Sequence, residues 1–347
     1  MTNSAINALV LGVGGNVSQG IVKAIRASNL NCRIIGGCID AHSAGLWLCD
    51  TAVITPYATS PDFIDWLIEA CNRHSIDVIL SGVEEVLDTA SLYAQRIAAE
   101  TDAVLIVSPH EKLQTCRNKI STALWLKNHG LPFPRSAMSD DNDGVKRLVD
   151  RVGFPLFAKP AIGKGSLGIR RINNAAELAE CKLLKDYVIQ EYLAEDTGEF
   201  SISTFTDKNG KTRGCIVLKR KLMAGTTVTA EIVTIPELTQ AALAITRELQ
   251  PVGPCNMQMR LRDGEPVCFE INLRYSGTAP MRARFGFNDV EAGIRHFVLN
   301  ETAMDLTPAS RGLALRYLDE IYVDPDAEAA LRRDGTLDAA CDRARYV

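Results

Sequence analysis

Short apolar runs alternate with amphipathic helical patterns through the N-terminal part of this chain, and that rhythm admits few folds. Residues Ala8, Leu9, Val10 and Leu11 lead into Gly12-Val13-Gly14-Gly15, a helical pattern follows over 17–27, and a second apolar run over 33–39 ends at Asp40. Over 61–74, Phe63, Leu67, Ile68 and Cys71 recur at helical spacing before the apolar run 77–80. Val86, Ala90, Tyr93 and Ile97 then repeat the helical period before a run over 103–107. Apolar positions three and four apart mark one buried helix face, and strands joined through helices run parallel. The pattern predicts a helix-covered parallel sheet that ends near Ser108-Pro109.

Beyond that point the rhythm changes. A helix is expected over 119–128, stopped by Gly130 and punctuated by Pro132 and Pro134. A second unit reads as helix 145–152, strand 155–159, a glycine-rich turn, strand 168–172, helix 175–183 and strand 187–190. From Glu199 onward strand patterns dominate, broken by a helix over 236–249 and followed by strands 255–261 and 266–273. A helix with Val290, Ile294, Phe297 and Val298 on one side precedes a last strand at 313–317. The fold class is therefore α/β followed by α+β.

The chain has 347 residues, 46% hydrophobic and 23% charged, enough for two or three domains and a real core. Disordered and fibrous classes are excluded. Lys plus Arg number 38 against 42 Asp plus Glu, a net charge of −4, so no global attraction draws it to nucleic acid or an anionic membrane. An anionic ligand has to be met by a local site. The ten cysteines are scattered without C-x-x-C or paired-histidine spacing, which fits buried thiols in a reducing compartment rather than zinc ligands. Polar Thr2, Asn3 and Ser4 precede the first strand without a basic, apolar leader, and no window reaches the ~18 apolar residues of a membrane span. A cytoplasmic, soluble protein with no nucleic-acid or membrane partner is expected.

Four segments carry candidate chemistry. Gly12-x-Gly14-Gly15 follows a strand, with Asp40 beyond it, but the position of the third dinucleotide-binding glycine is Val17. A plain strand-to-helix turn, an NAD(P) site of an oxidoreductase and a substrate site at the helix start all remain open. The segment 160–168 sets Gly163, Gly165 and Gly168, with Lys164 and Ser166 between them, after Lys159 at a strand end; its N–H groups can cradle phosphate oxygens. No Gly-Lys-Ser/Thr opens a helix there, so it is not a P-loop, and a ligand-free hairpin is the alternative. On strand 266–273, period two puts Glu270, Asn272 and Arg274 on one face, with Asn256 and Gln258 offered by the neighbouring strand. Carboxylate and amide oxygens suit Mg²⁺ and an arginine fork suits phosphate or carboxylate, although a solvated polar face has the same pattern. Finally, Gln190, Glu191, Tyr192 and Leu193 close an apolar strand, and Glu199 follows; such a segment can offer backbone groups to adenine and a carboxylate to ribose, or be an ordinary turn.

Taken in order, these pieces resemble the ATP-grasp superfamily, in the branch of carboxylate-amine ligases similar to carbamoyl-phosphate synthase. The matching set is Lys119, Lys159-Pro160, the 163–168 flap, Gln190 to Leu193, Glu199, Gln258, and Glu270-x-Asn272-x-Arg274. The resemblance implies an ATP-grasp fold with a Rossmann-like N-terminal domain over 1–110, a small subdomain with the flap over 111–192, a β-rich central subdomain with the Mg²⁺ site over 193–305, and a tail over 306–347 packing on it. It implies ATP and Mg²⁺ as cofactors. Lys119 and Lys159 would contact phosphates under a flap of Gly163, Gly165, Ser166 and Gly168. Gln190 would line the nucleotide site, Glu191 and Leu193 would meet adenine and Glu199 the ribose. Gln258, Glu270 and Asn272 would hold Mg²⁺, and Arg274 would steady the transferred phosphoryl group.

The implied reaction activates a small carboxylate as an acyl phosphate for attack by an amine. A carboxylate kinase or a ligase with a non-amine nucleophile is the alternative, and a non-catalytic nucleotide binder a third. A homodimer is the assembly such relatives often adopt. Asn118 stands where many relatives have Asp, and one unit rather than two fits in this length, which argues against carbamoyl phosphate as product. For the substrate, Arg282 and Arg284 are candidate carboxylate ligands and Glu84 and Glu85 candidate amine ligands; of Lys219, Arg220 and Lys221 one is expected to face the site, and Lys219 is the substrate candidate taken from that run. The five histidines lie in no metal or base spacing.

Overall fold

A computed structural model describes residues 5–163, 167–194, 198–302 and 304–341. The N-terminal unit opens with strands β1 (Ile6–Leu11), β2 (Cys32–Cys38), β3 (Thr51–Ile54), β4 (Val78–Ser81) and β5 (Val104–Leu105), all parallel. Helices Asn16–Arg26, Phe63–Arg73, Glu84–Leu92 and Ala94–Glu100 intervene. The period read across Val86 and Ile97 as one helix is two, because the backbone of Tyr93 (φ −109°, ψ 17°) leaves the helical region between them.

Helices His110–Arg117 and Lys119–Asn128 lead into a four-stranded antiparallel sheet of β6 (Ser136–Met138), β7 (Leu156–Pro160), β8 (Arg170–Ile172) and β9 (Tyr187–Glu191), ordered β6-β9-β7-β8. Asn118 caps the second helix, its side chain accepting from the N–H groups of Ile120 and Ser121. An amide oxygen at this cap does the work that aspartate would do. Three-residue β6 was not expected; it lies just past Pro132 and Pro134, too short to show a period.

The third sheet, all antiparallel, comprises β10 (Glu199–Thr206), β11 (Thr212–Met223), β12 (Thr226–Ile232), β13 (Gly253–Arg262), β14 (Glu265–Asn272) and β15 (Leu313–Leu315), ordered β14-β13-β10-β11-β12-β15. Helix Pro236–Leu249 covers one face, burying Leu238, Ala242 and Ile245 with Phe200, Met257 and Met259. The tail differs from expectation in its second half. β15 joins the third sheet, but β16 (Thr336–Asp338) returns to pair antiparallel with β3, giving the first sheet the order β16-β3-β2-β1-β4-β5. Tyr275, Ala279, Val290 and Ile294 also bury themselves with Ala8, Val10, Ile21 and Ile25 of the first unit. One core thus ties the loop and helices after β14 to the first sheet, and linear boundaries do not show it.

Candidate functional site

A cleft of about 330 Å³ opens between the second and third sheets. Its walls include Lys119, Phe157, Lys159, Gly163, Glu191, Leu193, Glu199, Gln258, Arg260, Phe269 and Glu270. Residues from widely separated parts of the sequence meet here because β7 and β9 form one wall and β10, β13 and β14 the other.

Lys159, the penultimate residue of β7, donates from its ammonium to Gln190 Oε1 (2.8 Å), and Gln190 Nε2 donates in turn to Ser136 Oγ (3.0 Å). Its Nζ also lies 5.2 Å and 5.4 Å from the ring centroids of Phe157 and Phe269. Burial pushes the Lys159 pKa down to about 8, against the opposing pull of Glu270. Lys119 Nζ donates to the carbonyl of Gly163 (3.2 Å), and burial lowers its pKa too, opposed by Glu270 and Glu84. A cation held with little opposite charge around it is short of an anion.

Glu270 Oε1 accepts from both Gln258 Nε2 (2.9 Å) and Asn272 Nδ2 (2.8 Å), so three oxygen-bearing side chains converge on one point. Turning each amide end for end would aim its oxygen inward, a choice that hydrogen bonding to a ligand decides. Among the described residues no three His, Cys, Asp or Glu side chains form a metal-binding group. One carboxylate and two amides suit Mg²⁺ when phosphate and water oxygens supply the remaining ligands. Asn256, offered by β13 as a further ligand, is not available: its Oδ1 accepts from Ser201 (2.7 Å) and Ser203 (3.1 Å) in the core.

At the other group, Glu191 Oε1 accepts from the Arg135 N–H (2.7 Å) and from Arg262 (2.5 Å), and the Glu191 N–H donates to the Arg135 carbonyl. Glu199 is held by Arg220 through Oε1 (2.6 Å) and by Arg260 through Oε2 (2.9 Å). Burial alone would raise the Glu199 pKa, but the two guanidinium groups outweigh it and hold the carboxyl below its ordinary value.

The fold around this cleft is that of known enzymes. The *Staphylococcus aureus* N5-carboxyaminoimidazole synthetase complexed with ADP superposes with a TM-score of 0.72 over 92% of this chain and 84% of that one, at 12% identity. The biotin carboxylase domain of *Hydrogenobacter thermophilus* 2-oxoglutarate carboxylase, in complex with MgADP, gives 0.69 over 96% and 76%, at 15% identity. Residues 184–321 match the family described as ATP-grasp in the biosynthetic pathway with Ter operon. That stretch carries an ATP-grasp domain. Residues 9–105 match the PylC-like N-terminal domain. The carbamoyl phosphate synthase large chain of *Sulfurisphaera tokodaii* is 24% identical over 230 residues, 60% of this chain and 22% of that protein. The D-alanine–D-alanine ligase of *Marinobacter nauticus* is 36% identical over 95 residues, 26% of this chain and 29% of that one. The chain therefore spans less than a third of the length of either relative.

Within the ATP-grasp fold, the remaining expected residues fall in different places. Gly168 (φ +73°) lies close against Pro160 and Tyr187; Gly165 and Ser166 lie outside the described residues, as does Lys164. Arg274 leaves β14 and donates to Glu84 Oε1 through Nη2 (2.7 Å) and Nε (3.2 Å), which brings Glu84 of the first unit next to the Glu270 cluster. Arg282 does not face a substrate. It is fully buried and spends its donors on Ser276 (2.6 Å), Thr278 (2.7 Å) and Asp289 (2.6 Å), shaping the loop after β14. Arg284 is exposed at the end of helix Ala279–Arg284 and does not line the cleft. Lys219 is also misplaced by its expectation. It sits opposite Phe200, on the face covered by helix Pro236–Leu249, whereas Arg220 sits opposite Glu199 on the cleft face.

Where the third dinucleotide glycine would stand, Val17 packs closely against another glycine. A Cβ at Gly82 would lie 2.3 Å from Val17 Cγ1, so Gly82 on the β4 side lets the helix bearing Val17 come close. Asp40 accepts from the His42 N–H (3.0 Å) within its own turn. Sequence reasoning missed Arg260 and Arg262; their period-two spacing after Gln258 was the signal that could have found them.

Proposed function

We propose that this chain is an ATP- and Mg²⁺-dependent ligase that activates a small carboxylate, an amino acid or peptide-like acid, as an acyl phosphate for attack by an amine. The observation that carries the reading is one cleft in which Lys119, Lys159, Gln258 and Glu270 gather beside Leu193, Glu191 and Glu199. ATP would lie along it, with Lys119 and Lys159 on phosphate oxygens, the 163–168 flap over them, adenine at Glu191 and Leu193, and ribose at Glu199. Gln258, Glu270 and Asn272 would hold Mg²⁺, whose charge offsets that of the phosphates when it is bound.

A substrate carboxylate oxygen attacks the γ-phosphorus and ADP departs with the bridging oxygen. The amine nitrogen then attacks the acyl carbon, the phosphate leaves, and the nitrogen gives up a proton. Phosphoryl transfer of this kind rests on positioning and charge, so no side-chain nucleophile is required. Arg274 would serve the transferred group by exchanging its Glu84 partner for phosphoryl oxygens.

Small-molecule acid and amine are the proposed partners and a homodimer the proposed assembly, in line with the dimer described for the *Hydrogenobacter* domain. A cytoplasmic location fits ten cysteines that are all free thiols, and among the described residues no helix is long and apolar enough to cross a membrane.

The test is ADP release across a panel of amino acids and small acids crossed with amines. A productive pair should lose turnover in Glu270→Ala and Lys159→Ala with circular dichroism unchanged; full activity in either variant overturns the assignment. Hydroxylamine trapping of an acyl phosphate with no amine requirement would move the nucleophile to another class.

A further inference from the structure

We propose that Arg260 is a positioning residue for nucleotide recognition, a strap that fixes the rim from which the adenine and ribose contacts are made. The inference rests on the nucleotide reading above and adds to it a residue outside the set read from the sequence.

Arg260 and Gln258 both line the cleft from β13, so one strand carries a proposed metal ligand and the strap. The guanidinium forks: Nη1 donates to the Leu193 carbonyl (2.9 Å) and Nη2 to Glu199 Oε2 (2.9 Å). Leu193 follows β9 of the second sheet and Glu199 starts β10 of the third. A single planar group therefore spans the passage between the two walls of the cleft. On the other side of β10, Arg220 of β11 holds the second oxygen of Glu199 through Nη2 (2.6 Å) and Nε (3.1 Å). Glu199 is fixed from both neighbouring strands, with its side chain and that of Arg260 only 14% and 17% exposed.

Charge-assisted bonds in such surroundings are stronger than neutral ones and hold a set geometry. A lysine at 260 would be a point charge without the fork and could serve one acceptor well, not both. Because Arg260 is bonded to Leu193 and Glu199, the residues proposed to meet adenine and ribose, its loss should weaken contacts to adenosine more than those to phosphate and metal. A merely structural ion pair would not divide the ligand in this way.

The experiment measures calorimetric binding of ADP and of inorganic tripolyphosphate, each with Mg²⁺, to wild type, Arg260→Met and Arg260→Lys, with thermal unfolding as the check on folding. Arg260→Met should weaken ADP by about ten- to a hundredfold, the range expected for lost bonds to a charged donor, and leave tripolyphosphate within about twofold. Arg260→Lys should fall between. If ADP and tripolyphosphate weaken in parallel, or neither weakens, the strap is refuted while the nucleotide reading stands. If Arg260→Met fails to fold, Arg260→Lys is judged by the same ratio. A wild-type chain that binds ADP no better than tripolyphosphate overturns the nucleotide reading and the strap together.

Discussion

Raising the pH from about 7 to about 9 should discharge Lys159 in the ligand-free protein and make nucleotide binding take up a proton. With its pKa at about 8, roughly a tenth of Lys159 is neutral at pH 7, half at pH 8 and nine-tenths at pH 9. The cause is the site itself: Nζ is buried between Phe157 and Phe269, its donor goes to the neutral Gln190 amide, and Glu270 compensates only in part. Phosphate oxygens placed beside it favour the charged form and lift the pKa again. Binding of ADP with Mg²⁺ should then take up about half a proton at pH 8 and approach one at pH 9 through Lys159. Affinity should fall by up to about tenfold per pH unit above 8.

The sign for stability is the reverse. A lysine whose folded pKa lies below its unfolded value leaves the unfolded chain with more protons between about pH 8 and the ordinary 10.5. Its contribution to the stability of the free protein therefore rises across that window. Calorimetry in two buffers of different ionisation enthalpy counts the protons. Burial lowers the pKa of Lys119 as well, so it adds to the uptake in the same direction. Lys159→Arg, which stays charged throughout, isolates the Lys159 share. Equal proton uptake by Lys159→Arg and wild type, or an affinity flat to pH 9, would refute the reasoning.

Two further predictions concern the scaffold. Arg282→Met strands Asp289 in the core and should lower stability by about 3–5 kcal/mol in urea denaturation, with Arg282→Met/Asp289→Leu recovering most of it; a loss below about 1 kcal/mol would show that the pair is not structural. Gly82→Ala drives a methyl into Val17 and should cost about 1–3 kcal/mol, and adding Val17→Ala should restore part of that, a coupling that a double-mutant cycle reads directly.

Helix Lys119–Asn128 and helix Pro236–Leu249 have the bounds read from the sequence, since caps, prolines and periodicity are local signals. The split at Tyr93 and the three residues of β6 escaped, because one backbone angle and one short pairing leave no period. At the site, the types and order of Lys119, Lys159, Glu191, Glu199, Gln258 and Glu270 were legible, as was the shared face of Glu270 and Asn272. Which of Lys219, Arg220 and Lys221 faces the cleft was not. Adjacent strand residues point to opposite faces, and only the pairing of β11 with β10 tells which face is which.

The sequence by itself determined the longer elements, their order and the chemical kinds of side chain that an anionic nucleotide and a divalent cation call for, because periodicity and residue type are written along the chain. Tertiary structure alone decided the partners. It turned Arg282 inward to Asp289, set Arg274 on Glu84 of a distant unit, withdrew Asn256 to two serines and strapped Leu193 to Glu199 through Arg260. Each of these depends on which buried charge or amide lies within about 3 Å, and a linear pattern carries no such distance.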